Sequence, residues 1–148
     1  MANNYVEFSE MLEELTDEEM AWIEATTSFE HVEQDEDEQP AKLPDWYNPD
    51  VLGVDLTNHL NKTARTFWMY SEGESGNLDT LGAFVHEFIL KFRPGAVFML
   101  TWAETCSKPR VGEFGGGALV ISREGVKVMN TYHWSRTQRD EILKARGA

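Results

Sequence analysis

The sequence predicts an α+β domain: an antiparallel sheet of about five strands in ββαβββα order, one main amphipathic helix packed on it, and an acidic, helical N-terminal segment. Three observations carry this reading. Leu78, Leu81, Phe84, Val85, Phe88, Ile89 and Phe92 recur at spacings of three and four, which gives a helix one wide apolar face. Ala96–Ala103 is a continuous apolar run of strand length, expected as a central strand covered on both faces. Ala118–Ser122 and Val126–Asn130, turned at Arg123-Glu124-Gly125, read as a hairpin. Short connections favour antiparallel neighbours, so helix and sheet form separate layers.

The elements follow in order. Ser9 can cap a first short helix with Met11, Leu12 and Leu15 on one side. Thr16-Asp17-Glu18-Glu19 is a capping box, and the helix it opens runs to about Thr26, with Met20, Trp22 and Ile23 available to dock on the body or on a second subunit. Glu33–Pro40 is a like-charge run that has nothing to bury and is expected as a disordered linker. Val54, Leu56 and His59–Leu60 suggest a short strand, and Asn61-Lys62 a turn into the β-rich run Ala64–Tyr70. Asn77 is placed to cap the main helix. Lys91 and Arg93 in its last turn and Pro94-Gly95 beyond supply the stop chemistry. A polar, basic helix over about Ser135–Arg146 closes the chain.

Charge divides the chain unevenly. The formal net charge is −13. Residues 1–41 hold fourteen acidic residues and no Lys or Arg, while residues 42–148 hold twelve acidic and thirteen basic. The expected organisation is therefore an acidic, partly helical arm with a linker over 1–41 and a single α+β domain over 42–148. Phosphate neutralisation needs cations, so direct nucleic-acid binding is not expected, and the partner favoured is a protein with a basic surface. No apolar run approaches the ~20 residues of a membrane span, and MANNYVEFSE lacks the basic start and apolar centre of a signal peptide. One cysteine, Cys106, leaves no internal disulfide. A cytoplasmic location is expected.

The stretch Thr101–Gly117 differs from everything else. It holds a thiol, hydroxyls, Glu104, Glu113, Lys108, Arg110, two aromatic rings and four glycines. Connections this long inside a compact domain tend to be functional. Cys106 is a candidate nucleophile if Lys108 and Arg110 provide a positive surround and His86 or His133 a base. Glu104 and Glu113 are a candidate acid–base pair. Lys108 and Arg110 beside Gly115, Gly116 and Gly117 can hold an anion, with glycine amides converging as a nest. A bulge or close sheet packing accounts for consecutive glycines equally well, and no P-loop pattern is present. The four histidines, His31, His59, His86 and His133, are scattered, so no metal site and no cofactor are expected.

The block TWAETCSKPRVGEFGGGA, preceded by KFRPG and FWMYSEGESGN, resembles a group of small uncharacterised proteins encoded by bacteria, phages and other mobile elements. The resemblance covers roughly Phe67–Asn130. It implies a mobile-element setting and transfers no functional residue.

Three functions compete. The first is an acidic interaction or regulatory protein that binds a host protein through its anionic surface. The second is a small enzyme or an anion- or nucleotide-binding domain working through Thr101–Gly117. In the third the stretch is architectural, with Trp102 and Phe114 as anchors and Arg110 in a buried pair with a glutamate.

Overall fold

The computed structural model describes residues 4–27, 60–71 and 78–147. The expected linker, the strand at Val54 and Leu56 and the Asn77 cap lie outside the described residues. Within them the chain is an α+β fold with two antiparallel sheets. The strands are β1 (Asn4–Glu7), β2 (Ser9–Leu12), β3 (Leu60–Asn61), β4 (Thr66–Tyr70), β5 (Phe98–Cys106), β6 (Gly115–Ser122) and β7 (Gly125–Asn130). The helices are α1 (Asp17–Thr27), α2 (Leu78–Phe92) and α3 (Thr131–Ala145). One sheet has the order β1-β5-β6-β7 and the other β2-β4-β3.

The main departure from expectation is at the N-terminus. Residues 4–12 form two strands instead of a helix capped by Ser9. β1 pairs with the end of β5, from Asn4↔Cys106 to Glu7↔Ala103. β2 pairs with β4, from Ser9↔Tyr70 to Leu12↔Phe67. The physical reason is a period of two: Phe8 and Leu12 are buried while Glu7, Ser9 and Met11 are exposed. Phe8 is the corner where the chain passes from one sheet to the other, and Ser71 fastens it. The Phe8 amide donates to Ser71 Oγ (3.1 Å), Ser71 Oγ donates to the Val6 carbonyl (2.6 Å), and the Ser71 amide donates to the Phe8 carbonyl (3.2 Å). Residues 4–27 are thus part of the domain and not an arm, and the expected boundary at residue 41 does not separate them from it.

The capping box forms as the sequence predicts. The Thr16 amide donates to Glu19 Oε1 (2.8 Å) and the Glu19 amide to Thr16 Oγ1 (3.2 Å). α1 then buries Met20 and Ile23 and lays Trp22 on α2. The indole stacks on Phe84 at 5.3 Å and meets Phe92 edge-on at 5.8 Å. α2 carries its expected face inward, with Leu81, Phe84, Val85, Phe88 and Ile89 buried against Phe67 and Met69 of β4, Leu100 of β5 and Leu119 and Ile121 of β6. Each such fully buried side chain contributes about 1.5–3 kcal/mol.

β5 is interior to its sheet, as expected, but only one of its faces is covered. Leu100 and Trp102 point to α2 and are buried, whereas Met99 on the opposite face is 69% exposed. The second covering layer expected for this strand is missing among the described residues, and no residue of α3 is buried. α3 also begins earlier than Ser135, at Thr131, because Asn130 Oδ1 accepts the His133 amide (3.1 Å) and caps it there.

α1 and α2 are locked together by one buried ion pair. Arg93, just past the end of α2, donates from Nε to Glu19 Oε2 (2.7 Å) and from its terminal nitrogen to Oε1 (3.2 Å). The same nitrogen reaches the carbonyls of Glu13 (2.9 Å) and Glu14 (3.2 Å), and the guanidinium lies 5.2 Å from the Phe88 ring centre. Burial raises the Glu19 carboxyl, but the hydrogen bonds from Arg93 and Thr16, with the charge of Arg93, outweigh it and hold the group below its ordinary value of 4.5.

Two outcomes follow for stability. Arg93→Met should lower unfolding free energy by about 3 kcal/mol, the low end for a broken buried pair because Arg93 is 32% exposed; urea denaturation measures it. Adding Glu19→Gln to that variant should restore part of the loss. Because the folded-state carboxyl is depressed, its contribution is present above the ordinary carboxylate range and disappears as pH falls through the depressed value. Melting temperature should therefore hold steady down to about pH 4.5 and drop below it; Glu19→Gln should flatten the drop.

Candidate functional site

The stretch Thr101–Gly117 is two strand ends joined by a loop. Thr101–Cys106 completes β5, Gly115–Gly117 opens β6, and only residues 107–114 connect them. The loop turns tightly, with the Arg110 amide donating to the Lys108 carbonyl (2.8 Å) and Gly112 in the left-handed region at φ 80°. Lys108 and Arg110 stand exposed at its tip. Neither pairs with Glu104 or Glu113 among the described residues. Phe114 is exposed, so it is no anchor. The buried arginine–glutamate pair expected of Arg110 exists elsewhere, as Arg93 with Glu19.

Three of the candidates are brought together at the root of the loop. The Cys106 thiol donates to Glu113 Oε2 (3.0 Å), which closes the hairpin across seven residues. Thr105 Oγ1 donates to Glu7 Oε2 (3.2 Å). Glu104 and Glu113 line a cleft of about 270 Å³ with Asn4, Tyr5 and Val6 of β1. The chemistry this supports is limited. A nucleophilic thiol needs a base and a positive surround, and the sulfur's neighbour is an anion. His86 cannot serve it: its Nε2 lies 3.3 Å from the Arg123 carbonyl, at the far end of β6, about 25 Å along the strand from Gly115. His133 is exposed on α3. Among the described residues no group of three His, Cys, Asp or Glu side chains is placed to hold a metal.

The glycines answer to packing. The indole of Trp102 lies across Gly117, where a Cβ would collide with its ring and with the Met129 carbonyl oxygen. A Cβ on Gly116, at φ 155°, would run into the Trp102 carbonyl oxygen. One on Gly115 would sit 3.1 Å from Glu104 Oε2. The Gly116 amide is already taken by Thr131 Oγ1 (3.1 Å). The three residues run extended in the ladder opposite Trp102, Ala103 and Glu104, so their amides do not converge as an anion nest. The cost of seating Trp102 is that its Nε1 is buried with no acceptor among the described residues, a loss of about 1–3 kcal/mol.

A second feature is not singled out by the sequence. The turn Glu13-Glu14-Leu15 leads into α1 with Glu14 at φ 54°, a left-handed conformation rare for a non-glycine residue. Its backbone is clamped from two sides. Arg93 holds the carbonyls of Glu13 and Glu14. Arg65 Nε donates to the Leu15 carbonyl (2.7 Å), and the Leu15 amide donates to the Arg65 carbonyl (3.0 Å). Glu13, Glu14 and Asp17 line an open cleft of about 770 Å³ against Ala64–Thr66. Of the eight acidic residues in 4–27, Glu19, Asp17 and Glu24 are paired with Arg93, Arg65 and Lys62. Glu7, Glu10, Glu13, Glu14 and Glu18 have no ion-pair partner among the described residues. The only legible signal is the pair of acids just before the capping box.

Gly117→Ala tests the packing account. It should displace the Trp102 indole and lower the unfolding midpoint by an amount equivalent to about 2–4 kcal/mol, accompanied by a shift of tryptophan emission. A neutral outcome would show that the indole does not depend on that glycine.

No helix among the described residues is long and apolar enough to cross a membrane. No family model matches the chain, and comparisons with curated proteins and with solved structures find none similar to it.

Proposed function

We propose that the protein is an acidic interaction or regulatory protein, encoded by a mobile element, that binds a basic surface of a host protein through the anionic face built by β1, β2 and α1. One observation carries the reading: five carboxylates without cations on a segment that is folded into both sheets. Carboxylates held on rigid elements lose little conformational freedom on binding, and attraction at a distance raises the association rate. At the turn, Arg93 holds the carbonyls of Glu13 and Glu14 and Arg65 that of Leu15, and the two glutamates line the cleft.

A second reading keeps the β5–β6 loop as the site of a small enzyme or of anion or nucleotide binding. The contact of Cys106 with Glu113 beside the 270 Å³ cleft favours it. It has less support. Lys108 and Arg110 are exposed to solvent, and among the described residues the thiol is hydrogen-bonded to a carboxylate and to no imidazole.

Removing residues 1–41 would take out β1, β2 and α1, so the test is neutralisation in place. Glu10, Glu13, Glu14 and Glu18 are changed together to Gln, and affinity for an arginine-rich peptide probe is measured at low and high salt. At about 0.3–1 kcal/mol for each exposed charge pair, binding should weaken by about tenfold or more and lose much of its salt dependence, with melting temperature retained. The double variant Lys108→Gln, Arg110→Gln should bind as the parent does. Equal binding by the quadruple variant would sink the anionic face.

A further inference from the structure

The sheet edge opposite β1 is open among the described residues. β7 is the last strand of its sheet, so one edge of its backbone has no strand beside it among the described residues. An exposed, unprotected edge of this kind is a template for pairing. Its only charge is Lys127, and it carries neither proline nor a bulge in its pairing with β6. Val128 is 63% exposed and Met129 on the other face is exposed as well. The chain passes directly from β7 into α3, a fifteen-residue helix with no buried residue and with Tyr132 and Trp134 68% and 57% exposed. Isolated helices of about 12–15 residues are marginal in water, so a helix this bare is poorly accounted for by the single chain.

We propose that this margin is the interface of a two-fold dimer, in which β7 pairs antiparallel with β7 of a second copy to make a continuous eight-stranded sheet. A two-fold axis perpendicular to the sheet requires paired side chains to point to the same face, which restricts the register. Two registers pair five residues of each strand. One sets Lys127 against the partner's Lys127, and like charges directly opposed are destabilising. The other sets Val128 against the partner's Val128 and Lys127 against the partner's Met129, and it is the register chosen. The area is of the right order. Tyr132, Val128, Trp134 and Met129 are 68%, 63%, 57% and 45% exposed, and with the strand edge they offer several hundred Å², the order of the ~800 Å² that each partner gives to a stable interface. A two-fold axis perpendicular to the sheet puts α2 on the same face in both copies.

Sedimentation equilibrium of the full chain at micromolar concentrations should give twice 16.9 kDa. Val128→Lys and Trp134→Glu should each raise the dimer dissociation constant by about tenfold or more, or ~1.4 kcal/mol. Both side chains are exposed in the single chain, so both variants should keep the circular dichroism of the sheet and α2, with any loss confined to the helical signal of α3. Independently of these variants, Val128→Cys in a Cys106→Ser background should form an intermolecular disulfide under mild oxidation, because directly opposed residues bring their Cα atoms to about 4.5–5.5 Å; Val97→Cys in the same background should not. A monomer at all concentrations, a dimer indifferent to both substitutions, or the absence of a cross-link in the Val128→Cys variant would each overturn the proposal.

Discussion

The Glu19 carboxylate is the group on which the rest of the structure depends. One oxygen closes the capping box on Thr16, and both take the fork of Arg93. α1 is thereby fixed in direction at its first turn and in position against the end of α2. The guanidinium continues to the carbonyls of Glu13 and Glu14, so the same pair decides where the chain entering α1 runs. A buried ion pair adds little net stability compared with an apolar substitute, and its clearest use is to specify one arrangement among several. Here what it specifies is the seat of Trp22 among Phe84, Phe88 and Phe92. A rotation of α1 by one position would present a different side chain to that aromatic surface and take Glu19 out of reach of Arg93.

The N-terminal chain owes its charge pattern to the same frame. As two strands with a corner at Phe8 it buries Phe8 and Leu12 and leaves Glu7, and Glu13 beyond β2, exposed, while Glu10, in step with the buried pair, is half-buried. The acidity of this segment is therefore compatible with its place in the fold. It needs no separation from the body, and only Glu19 is drawn into the interior, where it has its cation.

The sequence makes α2, the capping box and the β6–β7 hairpin legible because each is specified by residues close together: apolar spacings of three and four, a reciprocal pair three apart, a turn at Arg123–Gly125. The N-terminal strands are not legible. Met11, Leu12 and Leu15 fit a helix as well as Phe8 and Leu12 fit a strand, and what decides between them is pairing with Phe67–Tyr70 and Ala103–Cys106, some 60 and 100 residues away. A buried arginine–glutamate pair is foreseeable, but the sequence points to Arg110 for it. Arg93 reads as a helix-terminal charge, since nothing near it in sequence reveals that Glu19 lies 74 positions earlier. Within the polar stretch, the grouping of Glu104, Cys106 and Glu113 follows from hairpin closure, whereas the exposure of Lys108 and Arg110 depends on the loop path. The glycines are conspicuous for a reason the sequence leaves open: two of them make room for the indole and the carbonyl of Trp102.

The anionic face and the β7 join are mutually compatible, and the sheet order says why. β1, which carries part of the anionic face, and β7, the proposed join, are the opposite edges of one four-stranded sheet. Pairing through β7 therefore leaves both β1 edges at the outside of an eight-stranded sheet, separated by seven strand spacings, or about 34 Å. The dimer would present two anionic faces at a fixed distance, facing oppositely about the two-fold axis. On a partner that carries its basic surface twice at a matching separation, the second contact would form at the effective concentration set by the first, and overall affinity would exceed that of one face by orders of magnitude without any new contact. On a partner with a single basic surface it would add nothing. Dimer formation would then govern which cationic surfaces are selected, while the chemistry of each contact would still be that of the carboxylates on β1, β2 and α1.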